Sequence, residues 1–321
     1  MKTITKLLGL LFVVFASCKN TNAQKPEEMT TMENKTEYNW SASVTSPHGF
    51  FIEVSNGYLA NNKEPIASFT NTGNTNGVDW HTESSGITGG NIIPTNFSLT
   101  WLGYADKKFW KAEGKLPSDM ILALFEKGYM HTEYKTRSKI TYKNITFGLA
   151  PGGMVSVWLT GPDQRVEIAS FQAKETFVDF NEFYRNADHE TQQQLFDYFF
   201  TRIPEETKAE IKAHGLPIGK WEKYRKKYNY RFVSQHYKPT VKEEFDRQIK
   251  YYNGEEEIFQ EGELLLYKQR AIPYKAEFYY MDDGLNGGDV FFDDQEMMQV
   301  FETISKKHPN EPFDIIAKVG F

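Results

Sequence analysis

The chain has 321 residues, a formal net charge of −6 and a single cysteine. Aromatic residues make up 15% of it, which is typical of folded proteins rich in strands and argues against intrinsic disorder. The acidic balance argues against nucleic acid as a partner, because nucleic-acid binding usually needs a basic face. One cysteine excludes an intrachain disulfide and a metal site built from several thiolates.

Residues 1–17 have the three parts of a secretory signal peptide: a positive start, an apolar segment and small residues before the cysteine. The apolar segment from Leu7 to Phe15 is shorter than the roughly 20 residues that a transmembrane helix needs. The ending Phe-Ala-Ser-Cys resembles the lipobox of bacterial lipoprotein precursors, so we expect cleavage before Cys18 and lipidation of its thiol. The alternative is an ordinary secreted protein in which Cys18 carries no lipid.

Lipidation would determine where the protein resides. More than one acyl chain gives a stable anchor, so the membrane is an expected partner through the N-terminal lipid. Residues 18–37 are polar and contain no aromatic side chain, which is typical of a flexible tether. Lys19 stands where some inner-membrane lipoproteins have a retaining Asp, and this favours the outer membrane. We therefore expect a lipid-anchored protein of the cell envelope that faces the periplasm or the cell surface.

Residues 38–175 are predicted to form an N-terminal α+β unit. Residues 38–60 alternate between apolar and polar side chains on both sides of a Pro-His-Gly break, which indicates two strands paired as a hairpin. Residues 61–91 are rich in Asn, Thr, Ser and Gly and are expected to form a long loop, a class that is often functional. The stretch FSLTWLGYADKKFWKAEGKL predicts a second hairpin with its turn near residues 106–108.

A helix and three strands complete this unit. Leu-Pro precedes the predicted helix, either Ser118 or Asp119 caps it, and Gly128 ends it. Three alternating segments lie between residues 138 and 175 and are joined by Pro-Gly-Gly and Gly-Pro-Asp. They predict an antiparallel meander.

Residues 176–321 are predicted to form a helical insert and a second α+β unit. Apolar residues have helical spacing through residues 180–200, and Pro204 and Gly215 bound a further helix. The remaining elements are predicted in the order strand 228–237, helix 240–253, strands 263–271 and 275–283, a Gly-rich turn, strand 289–292, helix 293–308 and strand 313–319.

The fold class that follows is α+β, with antiparallel sheets and a few covering helices. The second half resembles the first in its order of elements. Both halves begin with Tyr-Asn-aromatic, at residues 38–40 and 228–230, and both place Ile-Pro before an aromatic strand, at residues 93–94 and 272–273. Two related α+β halves and a chance likeness explain these pairs equally well.

The sequence contains no Gly-x-Ser-x-Gly elbow and no phosphate-binding loop, and its 7 histidines are dispersed. We therefore predict no catalytic residue and no cofactor. One acidic run, MDDGLNGGDVFFDDQE, has an EF-hand-like frame with Asp282, Asn286 and Asp293 at the first, fifth and twelfth positions. Gly284 stands at the third position, however. A hairpin turn followed by an acidic helix N-terminus explains the same residues without a metal.

Three side chains are the candidates for binding. Trp80 and His81 lie in the polar segment 61–91, and Trp158 lies beside the Pro-Gly-Gly turn. Aromatic side chains are common in surfaces that bind proteins or glycans. Core packing is the alternative for Trp158.

A longer motif carries a resemblance. The block GLAPGGMVSVWLTG runs from Gly148 to Gly161, and LPSDMILALFEKGY precedes it. Both stretches resemble a family catalogued as domain of unknown function 2931, whose members are predicted lipoproteins of Gram-negative bacteria. The resemblance covers the chain from about residue 38 onward and implies a location outside the cytoplasm. It implies no catalytic residue.

The function expected from these features is that of a non-enzymatic binding protein of the cell envelope, with another envelope protein or a glycan as partner. One form is an immunity-like protein, whose negative charge would meet a basic toxin. The alternative is a hydrolase of envelope polysaccharide or peptidoglycan. Such an enzyme would use a pair of carboxylates that the sequence does not single out.

Overall fold

The structure is a computed structural model that describes residues 38–70, 74–75, 79–83, 86–133, 136–183, 191–236, 247–259, 263–281 and 285–319. The predicted signal peptide, the tether and Cys18 lie outside the described residues. Strands β1–β20 and helices α1–α6 are numbered in chain order. Among the described residues, no helix is long and apolar enough to cross a membrane.

A nine-stranded sheet forms the centre of the described structure. Its strands are, in spatial order, β19 (Leu285–Phe291), β18 (Pro273–Met281), β15 (Arg247–Tyr251), β16 (Glu256–Phe259), β12 (Gln164–Gln172), β11 (Met154–Gly161), β10 (Asn144–Ala150), β1 (Trp40–Thr45) and β5 (Ile87–Gly90). Neighbouring strands in it are antiparallel except β1 and β10, which are parallel. A central strand such as β10 is buried along its whole length, because other layers cover both faces of the sheet.

The other strands form three smaller sheets among the described residues. A six-stranded sheet contains β13 (Lys174–Thr176), β7 (Lys108–Lys115), β6 (Asn96–Gly103), β2 (Ile52–Asn61) and β3 (Glu64–Thr70) in spatial order, with β4 (Asn74–Thr75) paired to β2. A three-stranded sheet has the order β17 (Lys268–Arg270), β14 (Tyr228–His236) and β20 (Phe313–Val319), and β8 (Tyr129–Glu133) pairs with β9 (Thr136–Ile140).

Six helices are described. They are α1 (Ser118–Lys127), α2 (Phe180–Phe183), α3 (Gln192–Thr201), α4 (Glu205–His214), α5 (Lys220–Tyr224) and α6 (Asp294–Lys307), with short 3-10 turns at Pro151–Gly153 and Glu263–Leu265. With its mainly antiparallel sheets and covering helices, the protein has the predicted α+β fold.

Four apolar clusters lie among the described residues, and the two largest hold the main layers together. The larger core lies between the nine-stranded and six-stranded sheets, where Phe147 of β10 contacts Phe69 and Phe97 of the facing sheet. The second core lies under α6, where Phe301 contacts Tyr230 of β14 and Phe313 of β20. Residues Thr36–Phe321 form one compact unit. The predicted boundary at residue 175 stays a prediction, as does the duplication.

Several predicted elements are confirmed. The turn between β6 and β7 spans residues 104–107, and β10, β11 and β12 form the predicted antiparallel meander. Pro204 and Gly215 bound α4 as expected. Helix α1 ends at Gly128 as predicted. The predicted N-cap, either Ser118 or Asp119, is wrong, because Pro117 occupies the N-cap position.

The hairpin predicted for residues 38–60 is wrong. Strand β1 pairs with β5 and β10 of the nine-stranded sheet, whereas β2 pairs with β3, β4 and β6 of the six-stranded sheet. The long loop predicted for residues 61–91 is also wrong over residues 64–70, 74–75 and 87–90, which form β3, β4 and β5. Asn62 and Lys63 both have positive φ and form the two-residue turn of a β2–β3 hairpin.

The helix predicted for residues 240–253 is wrong where it is described. Residues Arg247–Tyr251 form β15, in which Ile249 and Tyr251 are both buried. Their spacing of two places both side chains on one face of the strand. Charged helix-forming residues upstream had suggested the opposite, but pairing with β16 and β18 overrides that local preference.

Candidate functional site

A cleft of about 320 Å³ lies beside the Pro-Gly-Gly turn between β10 and β11. The end of β12 forms one wall, and the segment that leads into α5 forms the other. Apolar groups come from Pro151, Met154, Phe171 and Ile218, and polar groups come from Ser170, Gln172 and Glu222. The cleft therefore combines apolar walls with a polar rim, as small binding sites commonly do.

Two glycines allow the turn at the base of the cleft. Gly152 and Gly153 both have φ near +78°, a conformation that glycine adopts without steric penalty. The amide N–H of Gly152 donates to Asp106 Oδ1 at 2.7 Å, and the carbonyl of Gly152 accepts from Gln172 Nε2 at 2.7 Å. A Cβ on Gly153 would lie 2.7 Å from the ring of Trp110. The turn is thus fixed by hydrogen bonds and close contact on several sides.

Asp106 is a partly buried carboxyl group that binds this turn. Burial raises the pKa of Asp106 above its ordinary value, and the hydrogen bond from the Gly152 amide opposes this shift only in part. The carboxyl group lies behind the turn and holds it in place. On the rim, Glu222 is more than half exposed and forms an ion pair with Arg225 at 2.8 Å.

Ile218 is the most exposed apolar group of the cleft, with 67% of its surface accessible. A Cβ on Gly152 would lie 2.8 Å from Ile218 Cγ2, so Ile218 lies directly over the glycine of the turn. Met154, which is only 6% exposed, contributes a buried apolar surface to the same cleft. The result is an apolar surface that is open to solvent at its outer edge.

Three tryptophans form a buried cluster near the cleft. Trp80 packs edge-to-face against Trp158 at 5.1 Å and lies at 6.2 Å from Trp221. A Cβ on Gly254 would lie 2.6 Å from both Trp158 Cζ2 and Trp80 Nε1. Trp80 and Trp158 are both buried, so the structure gives them a packing role. Their role in binding stays a prediction.

His81 is also buried and joins three parts of the chain. Its Nε2 lies 3.0 Å from the carbonyl of Tyr251, its Nδ1 lies 3.2 Å from Asp79 Oδ1, and its ring stacks on Tyr274. Burial tends to raise the pKa of Asp79, but hydrogen bonds and charge interaction with His81 hold it below its ordinary value. His81 thus ties residues 79–83 to β15 and β18, and its predicted role in binding is not tested.

A buried arginine that sequence reasoning missed holds the same segment. Arg165 of β12 donates through Nη1 to the carbonyl of Trp80 at 3.0 Å and through Nη2 to the carbonyl of His81 at 3.0 Å. Its Nη2 also contacts Glu83 Oε1 at 3.1 Å. Thr146 of β10 donates to the same carboxylate oxygen at 2.5 Å. The sequence gives no signal for this role, because Arg165 and Glu167 both occupy polar positions of an alternating strand.

One pair of buried carboxylates is the nearest match to the pair expected of a hydrolase. Glu167 Oε1 contacts Arg225 Nε at 2.5 Å, and Glu255 Oε2 contacts Lys227 Nζ at 2.8 Å. Burial raises the pKa of Glu167, and the charge of Arg225 opposes this shift while that of Glu255 adds to it. Glu255 Oε1 also accepts from the amide of Glu167 at 3.2 Å. Each acid therefore has a basic partner and joins β12 to the C-terminal strands.

The residues of the EF-hand-like frame have separate positions. Asp293 is the N-cap of α6 and accepts from the amides of Gln295 and Glu296 at 3.0 and 2.9 Å. Asn286 lies in β19 opposite Tyr280, and Asp282 lies outside the described residues. Among the residues with described positions, no group of three or more His, Cys, Asp or Glu side chains is placed to hold a metal. The calcium site stays a prediction.

Comparison with known proteins gives one match. The family model described as "Protein of unknown function (DUF2931)" matches residues 20–219. Nothing among curated proteins or solved structures matches the chain. The family match includes the Pro-Gly-Gly turn, the end of β12 and Ile218, so it covers both walls of the cleft and leaves out only Glu222 on the rim.

Proposed function

Because the chain belongs to the DUF2931 family through residues 20–219, and because that part of the chain builds the cleft, we propose that the protein is a binding protein of the cell envelope whose cleft receives a side chain of a partner protein. It is anchored by lipid at Cys18, most simply in the outer membrane. The immunity-like role is one form of this function.

The exposed Ile218 carries the proposal. An isoleucine that is 67% exposed at the edge of an apolar cleft is unfavourable in water. Covering such a side chain contributes on the order of 1–2 kcal/mol to association. Ile218 also packs over Gly152, which places its exposed surface at the mouth of the cleft. A partner with an apolar side chain flanked by a basic group would fill the cleft and meet Glu222.

The charges in this region favour binding over catalysis. Glu222, Glu167 and Glu255 each have a basic partner in the chain, whereas acid–base catalysis needs carboxyl groups that reach the substrate. A hydrolase would need two carboxyl groups facing one cleft. The described residues give this alternative no specific support.

Site-specific photo-crosslinking tests the proposal in living cells. A photoreactive amino acid at position 218 is expected to give a discrete adduct of higher mass with an envelope protein. The matched control is position 92, because Ile92 is also an exposed isoleucine, at 50%, and lies outside the cleft lining. Adducts that are absent at position 218, or identical at both positions, would contradict the proposal.

A substitution gives a second test of the same surface. Ile218→Glu should abolish the adduct formed from a photoreactive group at position 170, which lines the cleft, while Ile92→Glu should leave it unchanged. If both variants keep the adduct, the partner does not use the apolar edge of the cleft.

The anchor is tested separately by intact mass and membrane fractionation. Wild-type protein should carry acyl mass and sediment with the outer membrane, whereas Cys18→Ala should be soluble and unmodified. A wild type without acyl mass would refute lipidation and leave the cleft proposal unaffected.

A further inference from the structure

Strand β20 is an edge strand whose hydrogen-bonding groups are paired on one side. In the three-stranded sheet it lies beside β14, in parallel register from Tyr230↔Phe313 to His236↔Val319. Within the described part of the chain no strand pairs with its other edge. Such an edge is a template for pairing with another strand.

The two faces of β20 differ in character. Phe313 and Ile315 are partly buried against the core under α6. Asp314, Ile316 and Lys318 point to the opposite face and are exposed, and Ile316 has 50% of its surface accessible. An exposed aliphatic side chain in the middle of an open edge strand favours association.

The charges on the exposed face are arranged symmetrically around Ile316. Asp314 lies two residues before it and Lys318 two residues after it. If two β20 strands pair antiparallel about a twofold axis at Ile316, each Asp314 faces the Lys318 of the other copy, and the two Ile316 side chains face each other. Opposite charges directly across an antiparallel pair are stabilising.

Other registers lose this match. An axis at Ile315 would place Asp314 opposite an isoleucine. An axis between residues would place the exposed face of one copy beside the buried face of the other, because neighbouring side chains point to opposite faces. Only the axis at Ile316 aligns both the faces and the charges.

The intrachain contacts of the two charged residues fit this arrangement. Arg231 Nε and Tyr267 Oη both donate to Asp314 Oδ1 at 2.8 Å, so the carboxylate is held in place before any association. Lys318 has no ion-pair partner among the described residues. We propose that the protein forms a twofold-symmetric dimer in which two β20 strands pair antiparallel about Ile316.

The dimer would join two three-stranded sheets into one sheet of six strands. Because the free β20 edge of each copy would then be paired, association through this edge stops at two copies. The inference is independent of the cleft, since it rests on residues 313–319. That segment lies beyond the part of the chain matched by the family.

A cysteine scan tests the register directly, because Cys18 is the single native cysteine. In the full chain carrying Cys18→Ser and solubilised in mild detergent, Ile316→Cys should form a disulfide-linked dimer under mild oxidation. Ile92→Cys is the matched control, because the two isoleucines are equally exposed, at 50% each. The control should remain monomeric on a non-reducing gel. Monomeric Ile316→Cys protein, or equal crosslinking of both variants, would overturn the proposal.

Charge reversal provides a second test that does not depend on crosslinking. Lys318→Glu should dissociate the dimer, because each pair would then contain two acids, while Lys139→Glu on the exposed strand β9 should leave it intact. The Asp314→Lys variant on its own should also be monomeric, because each pair would then contain two bases. An equimolar mixture of Lys318→Glu and Asp314→Lys should restore a dimer in sedimentation velocity, since one copy is acidic and the other basic at both positions. A monomeric wild type, or a mixture that stays monomeric while both variants retain native circular dichroism, would overturn the proposal.

Discussion

Arg165→Met is expected to lower the free energy of unfolding by about 3–5 kcal/mol. Arg165 is only 2% exposed, and its guanidinium binds the carbonyls of Trp80 and His81 and the carboxylate of Glu83. Methionine retains an apolar stem but removes all three hydrogen bonds. The carbonyl of His81 loses its Arg165 donor, which costs about 1–3 kcal/mol, whereas the carbonyl of Trp80 keeps a longer contact with the Thr45 hydroxyl at 3.4 Å. Glu83 also loses its charged partner, whereas repacking of the methionine offsets part of the loss.

Urea denaturation at neutral pH, followed by tryptophan fluorescence, measures this change. Fluorescence suits the question because Arg165 holds the segment that places Trp80 against Trp158. The control is Lys107→Met, which removes an ion pair with Asp197 that is exposed on both sides and should change stability little. A loss below about 1 kcal/mol for Arg165→Met would refute the reasoning, because a net hydrogen bond alone contributes about that much.

Three further changes should follow from the same structure. Gly254→Ala should lower the free energy of unfolding by about 2–4 kcal/mol in thermal denaturation, because Gly254 has a positive φ and an added Cβ would clash with the tryptophans. The control is Gly288→Ala, because Gly288 has open space around it. Phe301→Ala should cost about 3–5 kcal/mol by opening a cavity under α6, whereas Val300→Ala should cost little, because Val300 is exposed and alanine favours the helix more than valine does. A similar loss for both variants would contradict the cavity explanation. Burial tends to raise the pKa of Glu257, but Lys268 and Arg270 hold it below its ordinary value of 4.5. Its stabilising effect is therefore present above that pH and lost on acidification, so Glu257→Gln should be destabilising at pH 7 and approach wild-type stability at acid pH. A difference between Glu257→Gln and wild type that is the same at both pH values would contradict this explanation.

Local patterns in the sequence predicted the elements whose partners are close in the chain. The β6–β7 hairpin and the meander of β10, β11 and β12 follow from alternation and turn residues alone. The partner of β1 could not be predicted from such patterns, because the choice between β2 and β10 depends on contacts about 100 residues apart. Strand β15 was mistaken for a helix for the same reason, since its burial depends on β16 and β18.

The candidate site could be predicted only in part. The Pro-Gly-Gly turn and Trp158 stand out in the sequence, whereas Ile218 lies about 65 residues after the turn and has no motif of its own. Arg165 carried no signal, because a charged residue in a strand normally faces solvent. What brings these residues together is the packing of distant segments, and composition and periodicity do not report it.

The pairings of the nine-stranded sheet also set the order in which this protein can fold. Ser41 pairs with Asn144, and Arg165 pairs with Glu256, so each joint closes a loop of roughly 90 to 100 residues. Such non-local pairing is intrinsically slow. The buried Arg165 and His81 cannot obtain all their contacts until residues near 256 are available. Strands β1, β5, β10, β11 and β12 come from residues 40–172 and can pair early, whereas the other four strands come from residues 247–291. The nine-stranded sheet is therefore completed only when most of the chain has been made.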